Sequence, residues 1–182
     1  MVVIPQSVLL SAFSAHAAAV FNAAWHLLGD RPAAEDVLQE AFLALARQET
    51  CPDAPRGWLL TVALNRARDL CRRHAPQLVA GVDEVPAPEN GPMVAAIRGE
   101  RAVSVQAALA ALPIEQREVV VLHVFEELSF RAIGELCGCS GETAASRWRY
   151  ACERLRRGPL RRMVAADDGV DRVDNQADRS SR

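Results

Sequence analysis

Leu128-Ser129-Phe130-Arg131-Ala132-Ile133-Gly134-Glu135-Leu136-Cys137-Gly138-Cys139-Ser140, followed by Gly141-Glu142-Thr143-Ala144-Ala145-Ser146-Arg147-Trp148-Arg149-Tyr150, is the stretch that decides the fold. Ser129 and Ser140 are each placed to cap a helix, their hydroxyls accepting from amides of its first turn. Gly138-Cys139-Ser140 makes a tight turn between the two helices, and the first is short, ending near Cys137. In the second, Ala144, Trp148, Ala151 and Leu155 recur at i, i+4, i+7 and i+11 and face inward. Ser146, Arg147, Arg149, Tyr150 and Arg154 remain largely outside. A short helix, a tight turn and a longer helix with an Arg-rich outer face make a helix-turn-helix pattern. A helical hairpin with a solvated basic face has the same periodicity, and this stretch alone leaves both readings open.

Working back toward the N-terminus, a helix runs from Ile114 to about Glu127, and another approaches Leu112-Pro113. Helical pattern in this half begins near Glu100 and ends near Met163. Between Ala75 and about Gly99 it fails: Pro76, Gly81, Pro86, Pro88, Gly91 and Pro92 punctuate a stretch that carries Asp83, Glu84 and Glu89. That composition predicts a flexible acidic linker. The tail from Val164 to Arg182 is polar and Asp-rich, which predicts disorder.

The first half predicts three helices. Residues 8–28 are almost continuously helix-forming, and Gly29-Asp30 stops them. The second helix has Pro32 in its first turn and runs to about Arg47, with Val37, Leu38, Ala41, Phe42 and Leu45 as its apolar stripe. Asp36, Gln39, Glu40 and Arg47 fall outside that stripe. The third follows the turn Cys51–Pro55 and continues to about Arg73. Leu59, Val62, Ala63, Ala67 and Leu70 form its inner stripe, while Thr61, Asn65, Arg68, Asp69 and Arg72 form a mainly basic outer strip. The fold expected is all-α: two small helical domains joined by a flexible linker, the second a helix-turn-helix domain. Their bounds are 8–75 and 100–162, with the linker at 76–99 and the tail at 163–182.

Half of the 182 residues are apolar, which permits a core and argues against global disorder. A single Tyr, five Phe and abundant Ala and Leu favour helices. The net charge of −2 hides a strong pattern in which every basic residue is Arg. Residues 56–73 hold five Arg against one Asp, and residues 142–162 hold seven Arg against two Glu. Residues 30–49 hold five acids against two Arg. Two basic patches and one acidic patch suggest separate polyanion and protein contacts, although ordinary solvated helix faces give the same totals.

Cys51, Cys71, Cys137, Cys139 and Cys152 are odd in number and do not predict a disulfide framework. Cys137-Gly-Cys139 is not a metal-binding pair of finger spacing, and His16, His26, His74 and His123 are scattered. These two cysteines sit at the turn, where buried small residues and an oxidant or metal sensor are both conceivable. No phosphate-cradling Gly loop or nucleophile–base pair stands out, so neither an enzyme nor a cofactor is expected. No uninterrupted apolar run reaches the roughly 18 residues of a membrane span, and the N-terminus lacks a basic leader. A soluble cytoplasmic protein without membrane insertion is the expectation.

Several motifs together resemble a known family. Ala34-Glu35-Asp36-Val37-Leu38-Gln39-Glu40-Ala41-Phe42 resembles the acidic signature of sigma-factor region 2. Trp58-Leu59, then Ala63-Leu64-Asn65-Arg66-Ala67-Arg68-Asp69 and Arg72-Arg73, is similar to the close of that region. Leu112-Pro113 through Arg117-Glu118-Val119, then Leu128-Ser129-Phe130 and Thr143 through Arg157, resembles region 4. The motifs recur in order over residues 10–160, and the absence of other regions resembles the extracytoplasmic-function (ECF) class.

The resemblance implies a promoter-specificity subunit of RNA polymerase. Asp36, Gln39 and Glu40 would then dock on the core enzyme. Asn65 would receive a flipped base of the −10 element, with Arg66, Arg68, Arg72 and Arg73 on phosphates of the separated strand. Trp58 would either stack on a base or belong to the core. The resemblance also implies an interruption of the third helix near Asn65. Ser146, Arg147, Arg149, Tyr150 and Arg154 would meet the −35 duplex, and an anti-sigma factor would be a further partner. Ala144-Ala145, Tyr150, Cys152 and Arg131-Ala132 depart from the family pattern, so no −35 sequence preference carries over. Two other readings remain at this stage: a helix-turn-helix regulator that is not a polymerase subunit, and a sigma-like protein-interaction module. The acidic Asp36-Gln39-Glu40 helix is what a simple repressor has no need for.

Overall fold

The structure is a computed structural model, and it describes residues 4–73 and 103–158. The expected linker, the expected tail and the residues at 100–102 lie outside the described residues. Seven helices are described: α1 (Gln6–Leu28), α2 (Arg31–Ala46), α3 (Pro55–Arg73), α4 (103–110), α5 (Ile114–Val124), α6 (Phe130–Cys137) and α7 (Gly141–Arg157). No strand occurs among the described residues.

The helix boundaries follow from local chemistry. Gly29 ends α1 in the left-handed region at φ 69°, its amide donating to the Trp25 carbonyl. Asp30 caps α2, its carboxylate accepting from the Ala33 amide at 3.1 Å, and Pro32 occupies the first turn. Ser129 caps α6 through the Ala132 amide, and Ser140 caps α7 through the Thr143 amide at 3.0 Å. Gly138 closes α6 at φ 67°, and the Cys139 amide donates back to Gly134. α5 stops at Val124, short of the expected Glu127. Glu127 adopts a left-handed φ of 56°, which no α-helix continues through. The implied interruption near Asn65 is absent, and α3 passes through that residue unbroken.

Two apolar clusters hold the helices. The first joins α1, α2 and α3 through Val20, Ala24, Ala34, Val37, Ala41, Leu45, Leu59 and Ala63, all essentially without solvent contact. The second crosses between the halves. Ala23 and Leu27 of α1 and Leu60, Leu64 and Ala67 of α3 pack with Leu109, Leu112, Val119, Val120, Val121, Leu122, Ile133, Ala144 and Ala151. α3 is therefore buried on two sides. The second cluster thus draws on helices of both halves. α1 is long and apolar enough for a membrane span by length and composition, but Val20, Ala23, Ala24 and Leu27 are buried inside the protein.

Candidate polymerase and nucleic-acid interface

α2 divides cleanly. Val37, Ala41, Phe42 and Leu45 face the core, while Asp36, Gln39 and Glu40 are exposed. Glu40 forms an ion pair with Arg66 of α3 at 2.7 Å. Leu43, 49% exposed, continues this face one turn beyond Gln39 and Glu40. A lone large apolar side chain beside acids suits a protein contact better than solvent. The sequence reading passed over Leu43, although its i+4 spacing from Gln39 was the available signal.

On α3, Asn65, Arg72 and Arg73 are exposed. Arg72 pairs with Asp69, one turn away. Arg66 turns toward α2 and Arg68 toward α5, so the five expected strand contacts do not form one open strip. Arg68 binds Glu118 with both prongs of its fork, Nη2 to Oε2 at 2.9 Å, and its Nη1 donates to Asn65 Oδ1 at 3.0 Å. The bonds to Glu118 raise the Arg68 pKa despite the opposing effect of burial. Trp58 is half-buried against the first cluster, where it packs as a core residue.

The contact between the halves is polar as well as apolar. Arg56 Nη2 reaches Glu126 Oε2 at 2.7 Å, and burial raises the Glu126 pKa against that pairing. Arg117 of α5 donates to the carbonyls of Leu27, Ala110 and Leu112, tying α5 to α1 and to the turn after α4. Gln106 of α4 donates to the Trp25 carbonyl at 2.8 Å and faces His26 Nδ1 at 3.2 Å. The His26 ring stacks on Phe125 with centroids 3.8 Å apart. Sequence reasoning missed Glu118, Glu126, Arg56 and Gln106. The signal was in α5, where Val119-Val120-Val121-Leu122 is apolar on every side and so needs two layers of cover.

The outer face of α7 carries Arg149, Tyr150 and Arg154, all exposed, with Ser146 half-buried beside them. Tyr150 is 62% exposed. Arg149 donates to Ser146 Oγ at 3.1 Å. Arg147 turns away from this face and lies 3.6 Å from Cys139 Sγ. Trp148 packs inward against His123, whose ring also stacks on Phe130. Among the described residues no three His, Cys, Asp or Glu side chains converge as a metal site.

The described residues are all helical or in turns, with an acidic exposed face on α2, an exposed Asn65 beside arginines on α3, and a helix-turn-helix at α6 and α7. Comparison with known proteins supplies the class. Residues 12–77 match the family Sigma-70 region 2, and residues 102–155 match Sigma-70, region 4. The ECF RNA polymerase sigma factor SigL of Mycobacterium tuberculosis is 33% identical over 150 residues, covering 79% of this chain and 84% of that protein. SigE of Mycolicibacterium smegmatis is 34% identical over 147 residues, 78% of this chain but only 57% of that longer protein. Among solved structures, CnrH in complex with the cytosolic domain of CnrY gives a TM-score of 0.64 at 23% identity, covering 90% of this chain and 92% of that one. SigJ of Mycobacterium tuberculosis gives 0.59 at 27% identity, covering 80% and 53%. At 23% identity the CnrH likeness speaks for the fold alone. The chain belongs to the ECF RNA polymerase sigma factors, which direct the polymerase to specific promoters.

Proposed function

We propose how this sigma factor divides its work. Asp36, Gln39 and Glu40, with Leu43 at the end of the same face, dock on a basic surface of core RNA polymerase. Asn65 pairs with the edge of a flipped −10 base through its amide, and Arg66, Arg68, Arg72 and Arg73 hold phosphates of the separated strand. Ser146, Arg149 and Tyr150 meet the −35 duplex in the major groove, with Arg154 on its backbone. Arg147, turned toward Cys139, orients the start of α7 instead. The protein acts in the cytoplasm beside its DNA and without catalysis of its own. CnrH was solved with CnrY, and the sigma factor RpoE of Bartonella quintana with the anti-sigma factor NepR. A comparable inhibitor is proposed for this chain.

The observation that carries this reading is the exposed Asn65 amide, held by a guanidinium at 3.0 Å on a helix that also packs against the docking helix. Reconstituted transcription tests it: core polymerase with this protein is offered a promoter library and open complexes are mapped. Asn65→Ala is expected to weaken promoter opening more than core binding. Equal losses in both would move Asn65 into a structural role.

A further inference from the structure

The α6–turn–α7 unit meets duplex DNA with the start of α7 leading. That end of α7 lacks an outward cation of its own. Glu142, exposed in its first turn, is an acid. Arg147 is turned toward Cys139, and the first outward arginine, Arg149, comes only in the third turn. The missing charge stands on α6. The Arg131 side chain is 91% exposed. Its backbone lies against the first residue of α7, where a Cβ on Gly141 would stand 3.3 Å from the Arg131 Cα and 3.5 Å from the Phe130 carbonyl oxygen. Among the described residues its side chain has a single partner, Glu135 on the next turn, with Nε donating to Oε1 at 3.2 Å. Both members of that pair are exposed, so it contributes little and yields readily to another anion. Arg131-Ala132 is also one of the places where this chain departs from the family pattern, so that pattern does not account for the charge.

We propose that Arg131 is a phosphate contact of the −35 duplex, gripping the backbone at the edge of the groove that α7 enters. The proposal rests on the −35 reading above. In a helix-turn-helix the second helix lies in the major groove and the first crosses the backbone. Arg131 sits where those two roles meet, in the first turn of α6 and against the first turn of α7. Its planar fork takes two phosphate oxygens at once, and exchanging the Glu135 carboxylate for them never leaves the guanidinium bare. A phosphate carries no sequence information, so Arg131 adds affinity and fixes the placing of α7, while Arg149 and Tyr150 read the bases. Glu135 works against it as the rival anion on the same face of α6.

The test uses polymerase reconstituted with the full chain and a library of duplex promoters, with closed-complex affinity followed over a salt series. Arg131→Gln removes the charge from an exposed side chain and should leave the thermal melt unchanged. Affinity is expected to fall about eightfold near about 0.1 M salt, by the same factor for every library member, and the slope of log affinity against log salt to become shallower by about 0.9. Glu135→Gln should tighten binding, and by less once Arg131 is also replaced. An unchanged slope and affinity overturn the proposal. So does a change in which promoters are preferred, since that marks a base contact and not a phosphate. A loss of affinity that comes with a lower melt and an unchanged slope overturns it too, by making Arg131 structural. Arg149→Gln separates the proposal from the reading beneath it. If that variant alters −35 preference while Arg131→Gln does nothing, only the Arg131 contact fails. If neither affects duplex binding, the −35 reading itself falls and takes the proposal with it.

Discussion

Cys137 closes α6 at the helix-turn-helix, and burial pushes its thiol up to about 11, with the nearby Glu118 carboxylate adding to the effect. At about pH 8 its thiolate share is then about one part in a thousand, and the thiolate is the form that reacts. Alkylation of Cys137, followed residue by residue with mass spectrometry, is expected to be slow at that pH and to accelerate about tenfold per pH unit. A rate already saturated near neutrality would identify a reactive thiolate and revive a sensor role. At the same scale, two arginines one turn apart on α3 should behave differently. Arg68→Ala strands the buried Glu118 carboxylate, a change that costs about 3–5 kcal/mol when a buried pair loses one partner. Arg72→Ala removes an exposed pair with Asp69 and should cost less than about 1 kcal/mol. Urea unfolding of the two variants gives the comparison, and equal losses would refute the difference in burial.

Among the elements, the α6–turn–α7 unit is the most tightly built. A Cβ on Gly134 would stand 2.7 Å from the Cys139 carbonyl oxygen, 2.9 Å from the Gly141 amide nitrogen and 3.0 Å from the Ser140 carbonyl carbon. All three are backbone atoms, so none can swing aside. Gly134→Ala should lower stability by about 1–3 kcal/mol and weaken binding to duplex promoter DNA, because α7 must shift against α6. Thermal melting with a duplex-binding assay checks both, and an unchanged melt would mean the turn yields freely. This unit was legible in the sequence because its determinants are local: two serine caps, one turn glycine and an inward stripe through Ala144 and Ala151. The exposure of Asp36, Gln39 and Glu40 was legible for the same reason, as the polar side of an amphipathic helix. α3 was only half legible. Its Leu59–Ala63–Ala67 stripe is visible from spacing, but Leu60 and Leu64 are buried by a partner far away in sequence. Arg68 read as a member of an open basic strip because nothing near it in sequence announces Glu118, fifty positions on. The end of α5 was misplaced because the left-handed turn at Glu127 carries no glycine to mark it.

At the scale of the whole molecule, His26 joins the halves. Gln106 Nε2 donates to the Trp25 carbonyl, which leaves its Oε1 to accept from His26 Nδ1, while the His26 ring lies on Phe125. Burial lowers the His26 pKa below 6.5, outweighing the hydrogen bond to Gln106 Oε1 that would raise it. The sign follows from linkage. A base that resists protonation only when folded contributes stability in full above its unfolded value of 6.5. That contribution is lost as pH falls through the folded value, because only the unfolded chain takes up the proton freely. Glu126 runs the other way: burial raises its carboxyl above 4.5, and its contribution is present at low pH and lost as pH rises. Comparing the native chain with His26→Gln cancels Glu126, which both retain. Between about pH 7.5 and about pH 5.5, the stability advantage of the native chain over His26→Gln should shrink steadily. Chemical denaturation at a series of pH values measures it. A difference that stays constant with pH would show that His26 titrates alike in the folded and unfolded chain. The packing of α1 against α4 and α5 would then be indifferent to the charge on that ring.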